Sequence, residues 1–273
     1  MTSPNEFQRN YWRSGQAWVE RQQQMDMQLN SFGVAAMEAL GDVSGANVLD
    51  VGCGCGHTTL QLHERVGDGH VLGIDISETL LEVARTRSGG SVEFLEADAQ
   101  VDPLKGPYDA VYSRFGVMFF SDSVAAFANL RASTIKSGQL SFVCWQGPEE
   151  NPWITVPNRA GMALVDLPPR APQAADPFAF SNPGAVEGIL SEAGWESIEI
   201  RSFQTEVPLG GGVDVRSAAL HAFEFSPVKA ALDSASTVES DEVIDVIVKA
   251  LAPHEQNGIV RLPGAVWVVT AQN

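Results

Sequence analysis

The stretch that decides the fold runs from Val48 to Gly56 and reads Val-Leu-Asp-Val-Gly-Cys-Gly-Cys-Gly. Its apolar first half predicts a buried strand, and its second half places a glycine at every other position. Glycines have no Cβ, so backbone N–H groups at such a turn can approach a ligand closely. A strand that runs into a glycine-rich turn is typical of nucleotide-binding α/β proteins. The stretch therefore predicts a cofactor loop at the carboxyl end of the first strand.

The spacing of the glycines indicates the class of ligand. The dinucleotide fingerprint G-x-G-x-x-G fails in both registers, because its third glycine position falls on His57 or on Thr59. Asp50 also disfavours a pyrophosphate, since a carboxylate repels a dianion. An acid at this position suits a ligand with an ammonium or sulfonium group, and S-adenosylmethionine carries both. A nicotinamide dehydrogenase is therefore the weakest alternative.

Three further apolar runs follow, at the spacing of alternating strands and helices. Asp75 ends the second run, 25 residues after Asp50, and an acid there can accept hydrogen bonds from both ribose hydroxyls. Asp98 and Ala99 follow the third run, where they are placed to meet an adenine edge. The fourth run, at 108–113, leads directly into an Arg-Phe-Gly segment. Four ordered elements make the prediction much more specific than the glycines alone.

Together these segments resemble the motifs of class I S-adenosylmethionine-dependent methyltransferases, in the small-molecule branch that contains the quinone-biosynthesis enzymes. The resemblance covers about 45–146 strongly. It implies an α/β, Rossmann-like fold with a seven-stranded, mostly parallel sheet between helices, and S-adenosyl-L-methionine as the cofactor. The cofactor-binding residues expected from the motifs and the family are Tyr11, Trp18, Asp50, Gly52, Gly54, Gly56, Thr58, Asp75, Ile76, Asp98, Ala99, Ser113 and Arg114.

The rest of the chain divides around this core of 46–146. Residues 1–45 have a helical apolar stripe, and the family implies that such helices form a lid over the cofactor. The segment 147–183 contains eight prolines, which predicts an ordered insertion without regular helix. The remainder, 184–273, completes the core and includes a helical insertion near 214–252. Insertions that leave parallel strands at their carboxyl ends are expected to cover the cofactor and enclose the substrate.

Composition excludes several classes of partner. The formal net charge of −17, with only 17 Lys and Arg, argues against nucleic acid. No stretch approaches the ~18 apolar residues of a membrane span, and the N-terminal residues lack the features of a secretory signal. We therefore expect a cytoplasmic protein. The three cysteines form neither a disulfide framework nor a zinc-binding cluster, so no metal is expected.

Methyl transfer is an in-line displacement, and positioning supplies much of its rate. A general base is needed only when the attacking atom carries a proton at neutral pH. His221 is the candidate catalytic base, although an ordinary buried helix histidine is the alternative interpretation. Arg114 is expected to pair with an acid, and Asp50 is a natural partner. The apolar side chains expected to contact the substrate, or alternatively only to pack, are Phe115, Met118, Phe119, Trp145 and Phe223.

The chemistry leaves three functions open. The first is transfer of a methyl group to a small, largely apolar acceptor, such as an aromatic, polyketide-like or quinone-like molecule, at O, N or C. The second is a non-methylating reaction, such as a cyclisation or elimination, that uses the same cofactor. The third is a cofactor-binding partner subunit. The Asn-Pro-Pro-Tyr motif typical of base and amide methylation is missing after the fourth strand, and the oligomeric state cannot be derived.

Overall fold

The computed structural model describes residues 5–13, 15–167, 176–235 and 238–273. The helices are α1 (Glu6–Arg13), α2 (Gln16–Glu20), α3 (Gln22–Ala39), α4 (His57–Val66), α5 (Glu78–Ser88), α6 (Ser123–Ala132), α7 (Pro152–Met162), α8 (Pro183–Glu192), α9 (Val215–Glu224), α10 (Pro227–Ala235) and α11 (Ser240–Leu251). The strands are β1 (Asn47–Val51), β2 (His70–Asp75), β3 (Glu93–Glu96), β4 (Tyr108–Arg114), β5 (Thr134–Trp145), β6 (Glu196–Pro208), β7 (Glu255–Gln256) and β8 (Ile259–Gln272).

The strands form a sheet in the order β3-β2-β1-β4-β5-β8-β6, and the short β7 pairs with β8. β1 to β5 pair in parallel, whereas β8 is antiparallel to both of its neighbours, β5 and β6. β6 therefore runs parallel to β5, as expected. The strand order reverses between β1 and β4, and a crevice forms at such a switch point. The Rossmann-like, mostly parallel sheet predicted from the sequence is confirmed.

Helices pack on both halves of this sheet. α4 and α5 contact β1, β2 and β3, while α3 lies against β4, β5 and β6. The apolar stripe of α3 explains its position, since Phe32 is fully buried and its ring packs edge-on against Phe115 and Trp145. The N-terminal segment is thus helical as predicted, with interruptions between α1, α2 and α3. Among the described residues, no helix is long and apolar enough to cross a membrane.

The proline-rich segment contradicts the expectation that it lacks regular helix. Its first part forms α7, with Pro152 in the first turn and Pro157 in the interior. Pro152 loses no helical hydrogen bond at that position, and Pro157 removes one. Packing offsets this loss, because the buried Gly161 lets α7 approach Val228 and Val243 closely. α7, α9 and α11 form a second apolar cluster beside the sheet. Residues 168–175, in the middle of the predicted insertion, lie outside the described part.

Candidate active site

A cavity of about 590 Å³ opens at the carboxyl ends of β1, β2 and β4. The N-terminal helices, the glycine loop, α7, α9 and α10 all contribute to its walls. The predicted site residues that line it are Trp18, Gly52, Gly54, Thr58, Asp75, Ile76, Asp98, Ala99, Arg114, Phe115, Met118, Phe119, Trp145 and His221. A cavity of this size is typical of small-molecule and cofactor sites.

The glycine loop has two differently constrained positions. Gly52 has φ +68°, and a Cβ there would lie 2.7 Å from the Cα of Gly116, so the loop packs tightly against the turn after β4. Gly54 has φ +54°, but a Cβ there would meet nothing within 4 Å. Its N–H donates to Asp75 Oδ2 at 2.8 Å. The loop therefore leaves open space beside a fixed carboxylate.

Asp75 is held at the end of β2 by backbone donors. Its other oxygen, Oδ1, accepts from the N–H of Ser77 at 2.9 Å. Burial raises the pKa of Asp75, and the hydrogen bonds from Ser77 and Gly54 oppose that shift. A carboxylate fixed in this way beside open space can accept hydrogen bonds from a pair of ligand hydroxyls.

Asp98 forms the next wall of the cavity, after β3, and is 2% exposed. The side-chain amide of Asn5 donates to both of its carboxylate oxygens, at 2.8 and 2.9 Å. The backbone N–H of Ser121 in turn donates to the Asn5 amide oxygen at 3.2 Å. Asn5, just before α1, thus holds the acid that is expected to meet the adenine.

Asp50 lies behind the cavity wall and is fully buried. Its Oδ2 accepts from the hydroxyls of Thr58 and Thr59, both at 2.7 Å, while Oδ1 has no partner among the described residues. Burial raises its pKa to about 6, and the two hydroxyls and the charge of Arg114 act in the opposite direction. A buried carboxylate oxygen without a partner favours a cationic ligand nearby.

The expected ion pair between Arg114 and Asp50 is wrong. Arg114 lies 3.6 Å from a carboxylate oxygen of Asp26 and 3.1 Å from His57 Nδ1. Asp26 also pairs with Arg87 at 2.9 Å. α3 supplies Asp26 and so brings a carboxylate between two arginines, whereas Asp50 is already bonded by two threonines. Burial, more than the charge of Arg114, lowers the pKa of His57 to about 4.

Two predicted cofactor residues, Gly56 and Ser113, are not among the residues that line the cavity. A Cβ on Gly56 would lie 2.9 Å from both Ala84 and Phe94, so this glycine packs the start of α4 against α5 and β3. The Ser113 hydroxyl donates to the Val51 carbonyl at 2.7 Å and is fully buried. It therefore joins β4 to β1 behind the cavity.

Two further predicted site residues, Phe223 and Tyr11, are not among the described residues that line the cavity. Phe223 belongs to the apolar cluster of the C-terminal helices, because α9 turns this side chain away from the cavity. Tyr11 lies in α1, and its side chain is outside the described part of the structure. Phe178 and Phe180, which belong to the proline-rich segment 147–183, pack against the core of the sheet.

The far end of the cavity is aromatic. Phe115 stacks on Trp145 with ring centroids 3.9 Å apart, and Trp18 packs edge-on against Phe225 at 5.2 Å. His221 lies beside Phe225 and is 3% exposed, and neither ring nitrogen has a hydrogen-bond partner among the described residues. Burial, and to a lesser degree the charge of Arg21, lowers the pKa of His221 to about 4. The site thus holds a neutral imidazole against an apolar wall.

Sequence reasoning missed three polar residues of the N-terminal helices. Asn5, Asp26 and Gln28 all line the cavity, and each is at most 9% exposed. The available signal was the position of Asp26 and Gln28 between the apolar residues Met25 and Leu29. A polar side chain on the buried side of a helix is either paired or functional.

The residues present fit S-adenosylmethionine. Asp75 and the open space at Gly54 suit a ribose, Asp98 and Ala99 suit an adenine, and the free oxygen of Asp50 suits a positive charge nearby. α4 points its N-terminus at the same end of the cavity, where a ligand carboxylate is favoured. The bound cofactor would therefore extend along the glycine loop.

Comparison with known proteins agrees with this geometry. Residues 48–138 match a family model described as a methyltransferase domain. The chain is 30% identical to nocamycin O-methyltransferase from Saccharothrix syringae, over 60% of this chain and 64% of that protein. It is 38% identical to demethylmenaquinone methyltransferase from Lactococcus lactis, over 30% of this chain and 34% of that protein. The chain thus matches less than two thirds of the length of either relative.

Solved structures extend the likeness in fold. Phosphoethanolamine N-methyltransferase 2 from Haemonchus contortus, solved with S-adenosyl-L-methionine, superposes with a TM-score of 0.52 at 15% identity. That match covers 88% of this chain and 52% of the other. The family match is to residues 48–138, and the strand order and the cofactor end of the cavity agree with a class I S-adenosylmethionine-dependent methyltransferase domain there.

Proposed function

We propose that this protein transfers a methyl group from S-adenosylmethionine to a hydroxyl of a small, largely apolar aromatic acceptor. The observation that carries the proposal is the continuity of the cavity, which runs from Asp75 and Asp98 at one end to His221 at the other. A cofactor bound at the first end would direct its methyl group toward the second. The relatives named for O-methylation and quinone methylation support the reaction class.

The cofactor supplies an electrophilic methyl group on a sulfonium and leaves as S-adenosylhomocysteine. The protein's own contribution is to position the hydroxyl and to take its proton. His221 is available for this because its imidazole is neutral at pH 7 and neither ring nitrogen has a hydrogen-bond partner among the described residues. With the cofactor bound, His221 would accept the hydroxyl proton while the acceptor oxygen takes the methyl group and the carbon–sulfur bond breaks.

The walls of the cavity support an aromatic and uncharged acceptor. Phe115, Trp145 and Trp153 offer flat apolar surfaces. Two cationic side chains of the lining already have acidic partners, since Arg114 pairs with Asp26 and Lys229 lies 3.8 Å from Glu224. An acceptor with a strong negative charge would find neither of these two cations unpaired to replace its hydration. The net charge of −17 disfavours a nucleic acid for the same reason.

We also propose how the segments of the chain share the work of binding. We infer that the helices of residues 1–45 and the segment 147–183 cover the bound cofactor, and that 184–273 completes the core around the helical insertion. Trp12 and Trp18 from the lid, and Trp153 from α7, line the cavity in support of this. A cytoplasmic location, without membrane or nucleic-acid partners, remains our prediction.

The decisive experiment separates binding from transfer. Calorimetry should show that the purified protein binds S-adenosylhomocysteine, in the micromolar range or near it, and does not bind NAD. Incubation of phenolic acceptors with cofactor labelled in the methyl carbon should then release S-adenosylhomocysteine and label the acceptor oxygen. Binding without any transfer would favour a non-methylating catalyst or a partner subunit. Absence of binding would refute the proposed function.

A further inference from the structure

Gln28 presents a fixed amide group to the cavity. It lies on α3, is 2% exposed and contributes to the cavity wall. Its amide oxygen accepts from the backbone N–H of Gly210 at 2.7 Å. This bond fixes the positions of the oxygen and the NH2 group within the side-chain amide. The NH2 group has one partner among the described residues, the sulfur of Met25 at 4.0 Å. A thioether is a weak acceptor, so a buried donor remains largely unsatisfied.

Gly210 brings this amide close to His221. The turn Leu209–Gly211 follows β6, and Gly210 adopts φ +61° there. A Cβ on Gly210 would lie 3.5 Å from His221 Cβ and 2.9 Å from Val213. Gly210 therefore contacts Gln28 through its N–H and packs directly on His221. Gln28 and His221, from distant parts of the chain, thus both contact this turn, and both line the same cavity.

We propose that Gln28 is an acceptor-binding residue and that, with His221, it forms a subsite for an aromatic hydroxyl whose neighbouring ring carbon carries a second oxygen. The hydroxyl donates to His221, and the second oxygen, a carbonyl or an ether, accepts from the Gln28 NH2 group. The inference rests on the proposed function and defines its substrate class more narrowly.

Desolvation makes this subsite selective. A hydroxylated ring without the second oxygen would cover the Gln28 NH2 group and leave it without water or a good partner. Leaving a buried donor unpaired carries a larger penalty than the net gain of forming the bond. The second oxygen is expected to be uncharged, because the cationic side chains Arg114 and Lys229 are already paired with acids.

The test uses the full chain saturated with S-adenosylhomocysteine and two probes, 2-naphthol and 3-methoxy-2-naphthol. They differ in a methoxyl group beside the hydroxyl, and its oxygen can only accept. Calorimetry should show that the wild-type protein binds the methoxy probe about five- to tenfold more tightly, as one added hydrogen bond implies. Equal affinity for the two probes, or binding of neither, overturns the proposal.

Gln28→Glu is the matched variant, because it keeps an oxygen for the Gly210 N–H and replaces the NH2 group by a second oxygen. In this variant, the ratio of the affinity for the methoxy probe to that for 2-naphthol should fall to one or below. S-adenosylhomocysteine should still bind. Gln28→Met, which has similar length and lacks both hydrogen bonds, should also lose the preference and covers the case in which Gln28→Glu does not fold. If Gln28 had a purely structural role, both variants would bind the two probes more weakly by the same factor. An unchanged ratio of the two affinities would therefore overturn the inference. Failure of the wild-type protein to bind S-adenosylhomocysteine would instead refute the proposed function.

Discussion

The two ends of the cavity are built on opposite principles. At the cofactor end, hydrogen bonds within the protein already hold two of the three acids, Asp75 by two backbone N–H groups and Asp98 by the Asn5 amide. The third, Asp50, has one oxygen bonded by two threonines and one without a partner among the described residues. At the acceptor end, the His221 ring has no hydrogen-bond partner among the described residues. The only described hydrogen-bond acceptor for the Gln28 NH2 group is the sulfur of Met25. The first end is preorganised without its ligand, whereas the second is completed by it.

This difference separates the energetic roles of the two ends. Groups that are paired in the protein contribute to folding and to cofactor affinity together, because a change in them disturbs the loop itself. Unpaired buried groups lower the stability of the fold and gain their partners only on binding. Substitutions at the cofactor end should therefore affect stability and cofactor affinity, and those at the acceptor end should affect turnover.

The largest effect is expected at Gly52, in the loop of the cofactor end. Gly52→Ala places a Cβ 2.7 Å from the Gly116 backbone at φ +68°, and this should lower the free energy of unfolding by about 3 kcal/mol or more. Gly41→Ala is the matched control, because Gly41 has φ +74° with nothing within 4 Å, so only the backbone penalty of about 1–2 kcal/mol remains. Urea denaturation measures both. Equal losses would show that the close contact with Gly116 carries no energy.

The same division decides how much the sequence could predict. The cofactor end is made from residues that directly follow consecutive strands, so Gly52, Asp75 and Asp98 could be placed from local spacing alone. The parallel sheet followed from the same alternation of strands and helices. Gly56 and Ser113 were assigned to the ligand because spacing identifies a loop but not which of its residues face the cavity.

The acceptor end was less predictable because its residues come from separate segments. Gln28 on α3 and His221 on α9 both contact Gly210, and no local pattern encodes these contacts. Phe223 illustrates the limit, since it lies two residues after His221 and turns into the helical cluster instead. The helix α7 was missed because tertiary packing offsets the hydrogen bond that Pro157 removes.

At the acceptor end, His221→Ala should lower turnover of a phenol such as 2-naphthol ~10²-fold, as expected for a lost general base. The affinity for S-adenosylhomocysteine should change little, because the cofactor end is intact. The wild-type rate should stay level from about pH 5 to 8, since the His221 pKa of about 4 keeps the base neutral. The variant's rate should instead rise with pH as the phenol ionises. Unchanged turnover would show that His221 is structural.

A smaller effect links Asp50 to the charge of the cofactor. The carboxyl group has a pKa of about 6, so it becomes neutral as the pH falls below 6 and its attraction for the ligand ammonium is lost. Affinity for S-adenosylhomocysteine should decrease up to about tenfold between pH 6 and pH 5. Asp50→Asn should bind weakly and lack that pH dependence. An identical pH profile in both proteins would assign the titration to another group.

The smallest effect is expected at Asn5, and it tests whether the N-terminal segment helps to preorganise the cofactor end. Asn5→Ala removes the amide that holds both oxygens of Asp98 and should weaken S-adenosylhomocysteine binding about fivefold, the value of one net hydrogen bond. Selectivity against S-inosylhomocysteine, which lacks the adenine amino group, should fall as well, because Asp98 is no longer oriented toward that group. Gln16→Ala, on the exposed surface of α2, is the control and should change neither value. Tighter binding by Asn5→Ala would mean that Asn5 competes with the adenine for Asp98, and the cofactor end would then resemble the acceptor end in being completed by its ligand.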